Sequence, residues 1–202
     1  MWKDKYVVVD TETSGLGTDA RILEIAIASF EKGEITSSWS TMLYPLGLDF
    51  NDPNVKAALS VNGFTPDSLG DTRFREVAFE VYGRLNKETV VGHNLEFDLR
   101  MIAQEWTRLL PPAAEKLPVP NLEVCTLLSD FSLRSGFLKR NLAATCFRWK
   151  VELGKAHRAM ADAIATGKLL HAMLNELPDD EVELRELLGL AGKTWAEIMA
   201  RR

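Results

Sequence analysis

Three consecutive valines, Val7-Val8-Val9, run directly into Asp10-Thr11-Glu12. A continuous β-branched run bounded by polar residues is the signature of a buried strand, and such a strand belongs inside a sheet whose faces are covered by helices. At its end the two-residue period turns Asp10 and Glu12 to one face, about 7 Å apart at roughly 3.3 Å of rise per residue. A metal ion fits between two carboxylates so placed. An isolated Asp-x-Glu is also no more than the polar end of a strand, so its position matters: the carboxyl ends of central strands are where α/β sheets place ligands.

The rest of the chain supplies the sheet and its helices. Lys5 to Asp10, Arg21 to Phe30 and Ile35 to Leu43 read as three strands with short links, an antiparallel meander. Phe74 to Leu85 turns helical, Thr89 to Val91 is a short buried strand, and Leu95, Leu99, Ile102, Trp106 and Leu109 form a stripe at helical spacing. Four prolines fall between Pro111 and Pro120, which makes this stretch a connector, and Leu122 to Cys125 returns as a strand. Helices are expected over Leu138 to Phe147 and Ala159 to Leu174. Two short amphipathic pieces, Asp179 to Leu188 and Lys193 to Arg201, follow. The order β-β-β-α-β-α-β-α-α predicts one α/β domain, a mixed sheet with helices on its faces, over residues 1–177. Residues 178–202 are expected to form a short helical extension packed on that domain or on a partner.

Composition narrows the function classes. The longest apolar runs fall far below the roughly 18 residues that a membrane helix requires, and Met1-Trp2-Lys3-Asp4-Lys5 has no signal-peptide character. A cytoplasmic, reducing setting is expected, and Cys125 and Cys146 lack the spacing of a disulfide framework or a zinc site. With 24 basic against 29 acidic residues, the net charge of -5 argues against a protein that coats nucleic acid by bulk attraction. It leaves open an enzyme whose carboxylates bind divalent cations that in turn receive phosphates.

Two further segments carry acids. Asp98, in Gly92-His93-Asn94-Leu95-Glu96-Phe97-Asp98, stands in the first turn of a helix and shares a face with Ile102. Taken alone it is an acid complementing the positive end of the helix dipole, and Glu96 points to solvent. In Ala156-His157-Arg158-Ala159-Met160-Ala161-Asp162, five residues rotate about 140° along a helix, so His157 and Asp162 meet at one site only if His157 precedes the helix. Asp162 shares its face with Ala165 and Leu169, and a partly buried acid needs a partner.

The combination resembles the DEDD-type 3′-to-5′ exonucleases with histidine in the third motif, the family of the proofreading epsilon subunit, ribonuclease T and oligoribonuclease. It covers about residues 5 to 175. It rests on Val8-Val9-Asp10-Thr11-Glu12-Thr13-Ser14-Gly15-Leu16, Ile22-Leu23-Glu24-Ile25-Ala26, His93-Asn94 with Phe97-Asp98, and His157 through Asp162 with Ala163. Cys125-Thr126-Leu127 stands where many relatives carry Asp-Thr-Leu. The resemblance implies a ribonuclease H-like, mixed five-stranded sheet with helices on both faces. It also implies two Mg²⁺ or Mn²⁺ ions per site, held by Asp10, Glu12, Asp98 and Asp162, with His157 as general base. Thr11, Thr13, Leu16 and Phe97 would bind the terminal nucleotide, although core packing accounts for Phe97 equally well. Lys139 and Arg140 would steer the phosphate backbone or form a solvated loop pair, and His93 would make a structural hydrogen bond. The substrate expected is a single-stranded or frayed DNA 3′ end, released as nucleoside 5′-monophosphates. RNA is the alternative substrate, and a non-catalytic polymerase accessory is the alternative class. A polymerase or a second copy is the protein partner to look for.

Overall fold

A computed structural model describes residues 2–109, 117–154 and 158–177. Strands β1 (Lys5–Thr13), β2 (Ile22–Glu31), β3 (Glu34–Met42), β4 (Thr89–Gly92) and β5 (Leu122–Cys125) form one sheet in the order β3-β2-β1-β4-β5. The first three make the expected antiparallel meander. β4 joins β1 in parallel and β5 joins β4 in parallel, which puts β1 at the centre.

Alternation along β1 divides the core in two. Val7 and Val9 face a cluster closed by α2 (Phe74–Leu85) and α3 (Leu95–Thr107), whereas Tyr6 and Val8 face α6 (Ala159–Asn175). The helix α6 lies directly on the sheet. A Cβ at Gly167 would come within 2.3 Å of the Phe30 ring, and the Tyr6 hydroxyl donates to the Gly167 carbonyl at 3.0 Å. Glycine in mid-helix costs roughly 0.5–1 kcal/mol against alanine, and here it permits the close approach.

Three expectations require correction. β1 continues three residues past Asp10, because the long β2 partners it as far as Thr13, so Asp10 and Glu12 lie within the strand opposite Ala26 and Glu24. The helix expected from Leu138 begins at Leu142, as α5 (Leu142–Arg148): Asn141 caps it by accepting the Ala144 N–H at 3.0 Å, and Leu138 is 91% exposed. Arg140 neither steers phosphates nor faces solvent. It is buried, and with Arg148 it pairs to Asp130, a fully buried acid of α4 (Thr126–Leu133) that also accepts the Trp149 indole N–H at 2.8 Å. A buried carboxylate is tolerated when its lone pairs are satisfied in this way. Helix α1 (Pro53–Asn62) and the helix α4 were not foreseen. Residues 178–202, with the expected helical extension, lie outside the described residues.

Candidate active site

The division of β1 also builds the site. Asp10 and Glu12, being even-numbered like Tyr6 and Val8, face α6, where Asp162 occupies the first helical turn. Carboxylate oxygens of Asp10, Glu12 and Asp162 lie within 4.8 Å of one another. Two elements distant in sequence thereby converge on one point.

Asp98 arrives from the opposite face. The turn after β4 places Asn94 at φ 72°, a left-handed conformation that asparagine tolerates, and α3 starts at once, with Asp98 in its first turn. Its Oδ1 accepts both the Thr11 backbone N–H at 2.9 Å and the Thr11 hydroxyl at 2.7 Å. Asp98 is thus tied to the residue between Asp10 and Glu12, and its charge raises the Asp10 pKa. Glu96 is exposed, as expected. His157 lies outside the described residues.

The expected nucleotide-binding residues lie along the same rim. Leu16 is 77% exposed at the tip of the loop after β1, and its carbonyl accepts from Arg100 at 3.2 Å. Phe97 is half-buried, packs on the α2–α3 core and carries the Arg100 guanidinium 5.2 Å from its ring centroid. The Thr11 hydroxyl is committed to Asp98 and that of Thr13 donates to the Gly15 carbonyl at 2.8 Å, which leaves the loop backbone as the polar surface there. His93 bonds the Thr126 hydroxyl at 2.9 Å and the Arg140 carbonyl at 2.7 Å, the structural role expected of it. Burial holds its pKa down at about 4.

One residue of the site was quoted in the sequence only as part of a motif and was given no role there. Glu24, buried directly opposite Glu12 on β2, accepts from Arg158 Nε and Nη2 at 3.2 Å each and from the Ala159 backbone N–H at 3.2 Å. It fixes the N-terminus of α6, one turn ahead of Asp162, and Arg158 partly offsets the charge of Glu12. The signal was present: a lone acid in the apolar run Ile22-Leu23-Glu24-Ile25-Ala26 must find a partner.

The electrostatics are those of a cation site. Burial, reinforced by Asp98, Asp162, Glu12 and Glu24, raises the Asp10 carboxyl well above the usual range. Burial, then Asp162, Glu24 and Asp98, push Glu12 up to about 7. Burial lifts Asp98 to about 7 against the opposing Thr11 donors. An all-oxygen donor set of clustered, charge-frustrated carboxylates fits a hard divalent cation.

A dependence of stability on pH follows. Unfolded carboxylates titrate near 4, so the metal-free native state retains protons that the unfolded chain has lost, and its stability falls as pH rises from about 4.5 through 7. His93 acts oppositely, because its lowered pKa costs stability as pH falls below about 6.5. Of the groups named, only the acids contribute between about 6.5 and 8, and each tenfold change in proton affinity is worth about 1.4 kcal/mol. Thermal melts in chelator should therefore drop across that window, and millimolar Mn²⁺ or Mg²⁺ should restore them. A flat profile would mean that the carboxylates keep ordinary proton affinities in the folded state.

Comparison with known proteins identifies the family and the fold. A family model described as Exonuclease (RNase_T) matches residues 7–170. The PolC-type DNA polymerase III of Oceanobacillus iheyensis is 27% identical over 184 residues, 90% of this chain but 12% of its own length. The chain therefore spans about an eighth of that relative. The DNA polymerase III epsilon subunit of Aquifex aeolicus is 29% identical over 174 residues, 85% of this chain and 81% of its own. A solved structure of exonuclease X in complex with 5′ overhanging duplex DNA superposes with a TM-score of 0.67 at 23% identity, covering 91% of this chain and 99% of that one. The fold is ribonuclease H-like, a mixed five-stranded sheet with flanking helices.

Proposed function

Since the chain belongs to the exonuclease family, we propose that it is a 3′-to-5′ exonuclease that hydrolyses single-stranded DNA or frayed 3′ ends to nucleoside 5′-monophosphates. The convergence of Asp10, Glu12 and Asp162 within 4.8 Å carries this reading. Asp10, Glu12 and Asp162 would hold one divalent cation, and Asp98, tied to Thr11 beside Asp10, would help to hold a second. Mg²⁺ and Mn²⁺ suit these oxygen donors. When bound, the two cations supply an activated water and offset the negative charge that develops on the phosphate.

The chain's own groups do the remaining work. His157 takes the proton of the attacking water as general base. The backbone of the loop from Thr13 to Leu16 seats the terminal nucleotide, and exposed Leu16 wedges against its base. Arg158, bound to Glu24, holds the first turn of α6 and so keeps Asp162 against β1. The epsilon-subunit and PolC-type relatives suggest a polymerase as the protein partner.

Labelled single-stranded DNA and RNA, each incubated with Mg²⁺, Mn²⁺ or chelator, test the proposal together. Stepwise shortening from the 3′ end of DNA, abolished by chelator, is the expected result. Shortening of RNA alone would make the chain an exoribonuclease. No shortening of either, by protein that is folded and metal-loaded, would leave a non-catalytic accessory.

A further inference from the structure

Behind the loop that follows β1 lies a second concavity. It has a volume of about 420 Å³ between α2, α3 and the segment after β3, and it is separate from the carboxylates. Its wall carries four arginines, Arg21, Arg73, Arg75 and Arg108, against one acid, Glu105. This is a net positive surface on a chain of net charge -5. The acid is fully engaged: Arg21 donates to both its oxygens at 2.7 and 2.9 Å, and Arg108 lies 3.4 Å away. Arg73 and Arg75, at the start of α2, form no ion pair among the described residues. Between the cations stand aromatic and apolar groups, with Phe79 67% exposed and Leu46 57% exposed, over a floor formed by Trp106.

The concavity is joined to the active site by one loop. The Ser14 N–H donates to the Arg21 carbonyl at 2.9 Å, the Arg21 N–H donates to the Ser14 hydroxyl at 2.9 Å, and Arg108 grips the Thr18 carbonyl at 2.9 Å. The loop's first residues thus border the carboxylates and its last border the arginines. Glu105 follows Asp98 by seven residues on α3, about 10 Å at 1.5 Å per residue. A few nucleotides of single strand cover that reach.

We propose that this concavity binds the single strand upstream of the 3′-terminal nucleotide, its phosphates on Arg73 and Arg75 and a base against Phe79. Cationic side chains interleaved with aromatic faces are what sequence-tolerant single-strand binding requires. The assignment rests on the nuclease reading of the carboxylate site and extends it to the grip on the substrate.

The test compares the wild type with Arg73→Gln/Arg75→Gln on a single-stranded 12-mer and a trimer, with Mn²⁺. These side chains lie away from the carboxylates, and a second variant, Arg75→Gln alone, alters only an exposed position. Expected are a tenfold or greater loss of kcat/KM for the 12-mer, carried by KM, and less than a twofold change for the trimer. By anisotropy, the log–log salt dependence of 12-mer binding should flatten by about 1.4 in the double variant and about 0.7 in the single one, at roughly 0.7 for each phosphate released. If the wild type cleaves both lengths and the variants scale them equally, with the salt slope unmoved, the concavity serves another occupant, such as an acidic peptide, and the assignment is overturned. If the wild type cleaves neither, the nuclease reading itself has failed and takes the assignment with it.

Discussion

Asp10→Ala should abolish phosphodiester hydrolysis while leaving the protein folded. Asp10 stands between Glu12 and Asp162 on one side and the Asp98–Thr11 contact on the other, so its removal takes a donor from both proposed cation positions. Loss of a cation pair that activates water and neutralises charge amounts to several orders of magnitude in kcat. The same substitution removes a buried acid whose charged form burial and four neighbouring carboxylates disfavour. In chelator, therefore, the melting temperature should hold or rise, which a merely structural aspartate would not do. Retention of more than roughly a tenth of wild-type kcat would sink the cation-site reading.

His157→Ala should lower kcat by on the order of 10² to 10⁴, the usual contribution of a general base, with a much smaller effect on cation affinity. The pH profile separates a base from a residue that only helps to fold the segment. The wild-type rate should rise through an apparent pKa that belongs to the imidazole, and the variant should lack that limb. An unchanged profile and rate would assign the proton to another group.

How much of this could be read from the residues depended on how local each signal was. Asp10 and Glu12 were legible because strand period and position act within six residues, and Asp98 because the helix start is announced by Gly92-His93-Asn94. The grip of Glu24 on Arg158 spans 134 positions, and no local pattern names a partner so far away. Arg140 misled because its partners sit on another element: a Lys-Arg pair beside Gly136 and Asn141 looks solvated until Asp130 and the Phe131 ring, 4.8 Å from the Arg140 guanidinium, close around it. α1 escaped notice because it buries only Val55 and Leu59, which leaves a weak stripe, although Asp52 before Pro53 marks its start.

The contact of α6 with the sheet acts as a gauge for the chemistry. Asp162 and Gly167 are five residues apart on one rigid rod, about 7.5 Å at 1.5 Å per residue, and the rod is set against β1 and β2 where the Phe30 ring meets a backbone without a side chain. Even a methyl group at Gly167 would act as a shim. It would lift the rod and carry one carboxylate away from the two that remain on β1. The cation affinity expected of the proposed site is thus calibrated by an aromatic ring and a glycine that would never touch the ion, and a defect in a dry seam should register as a loss of metal.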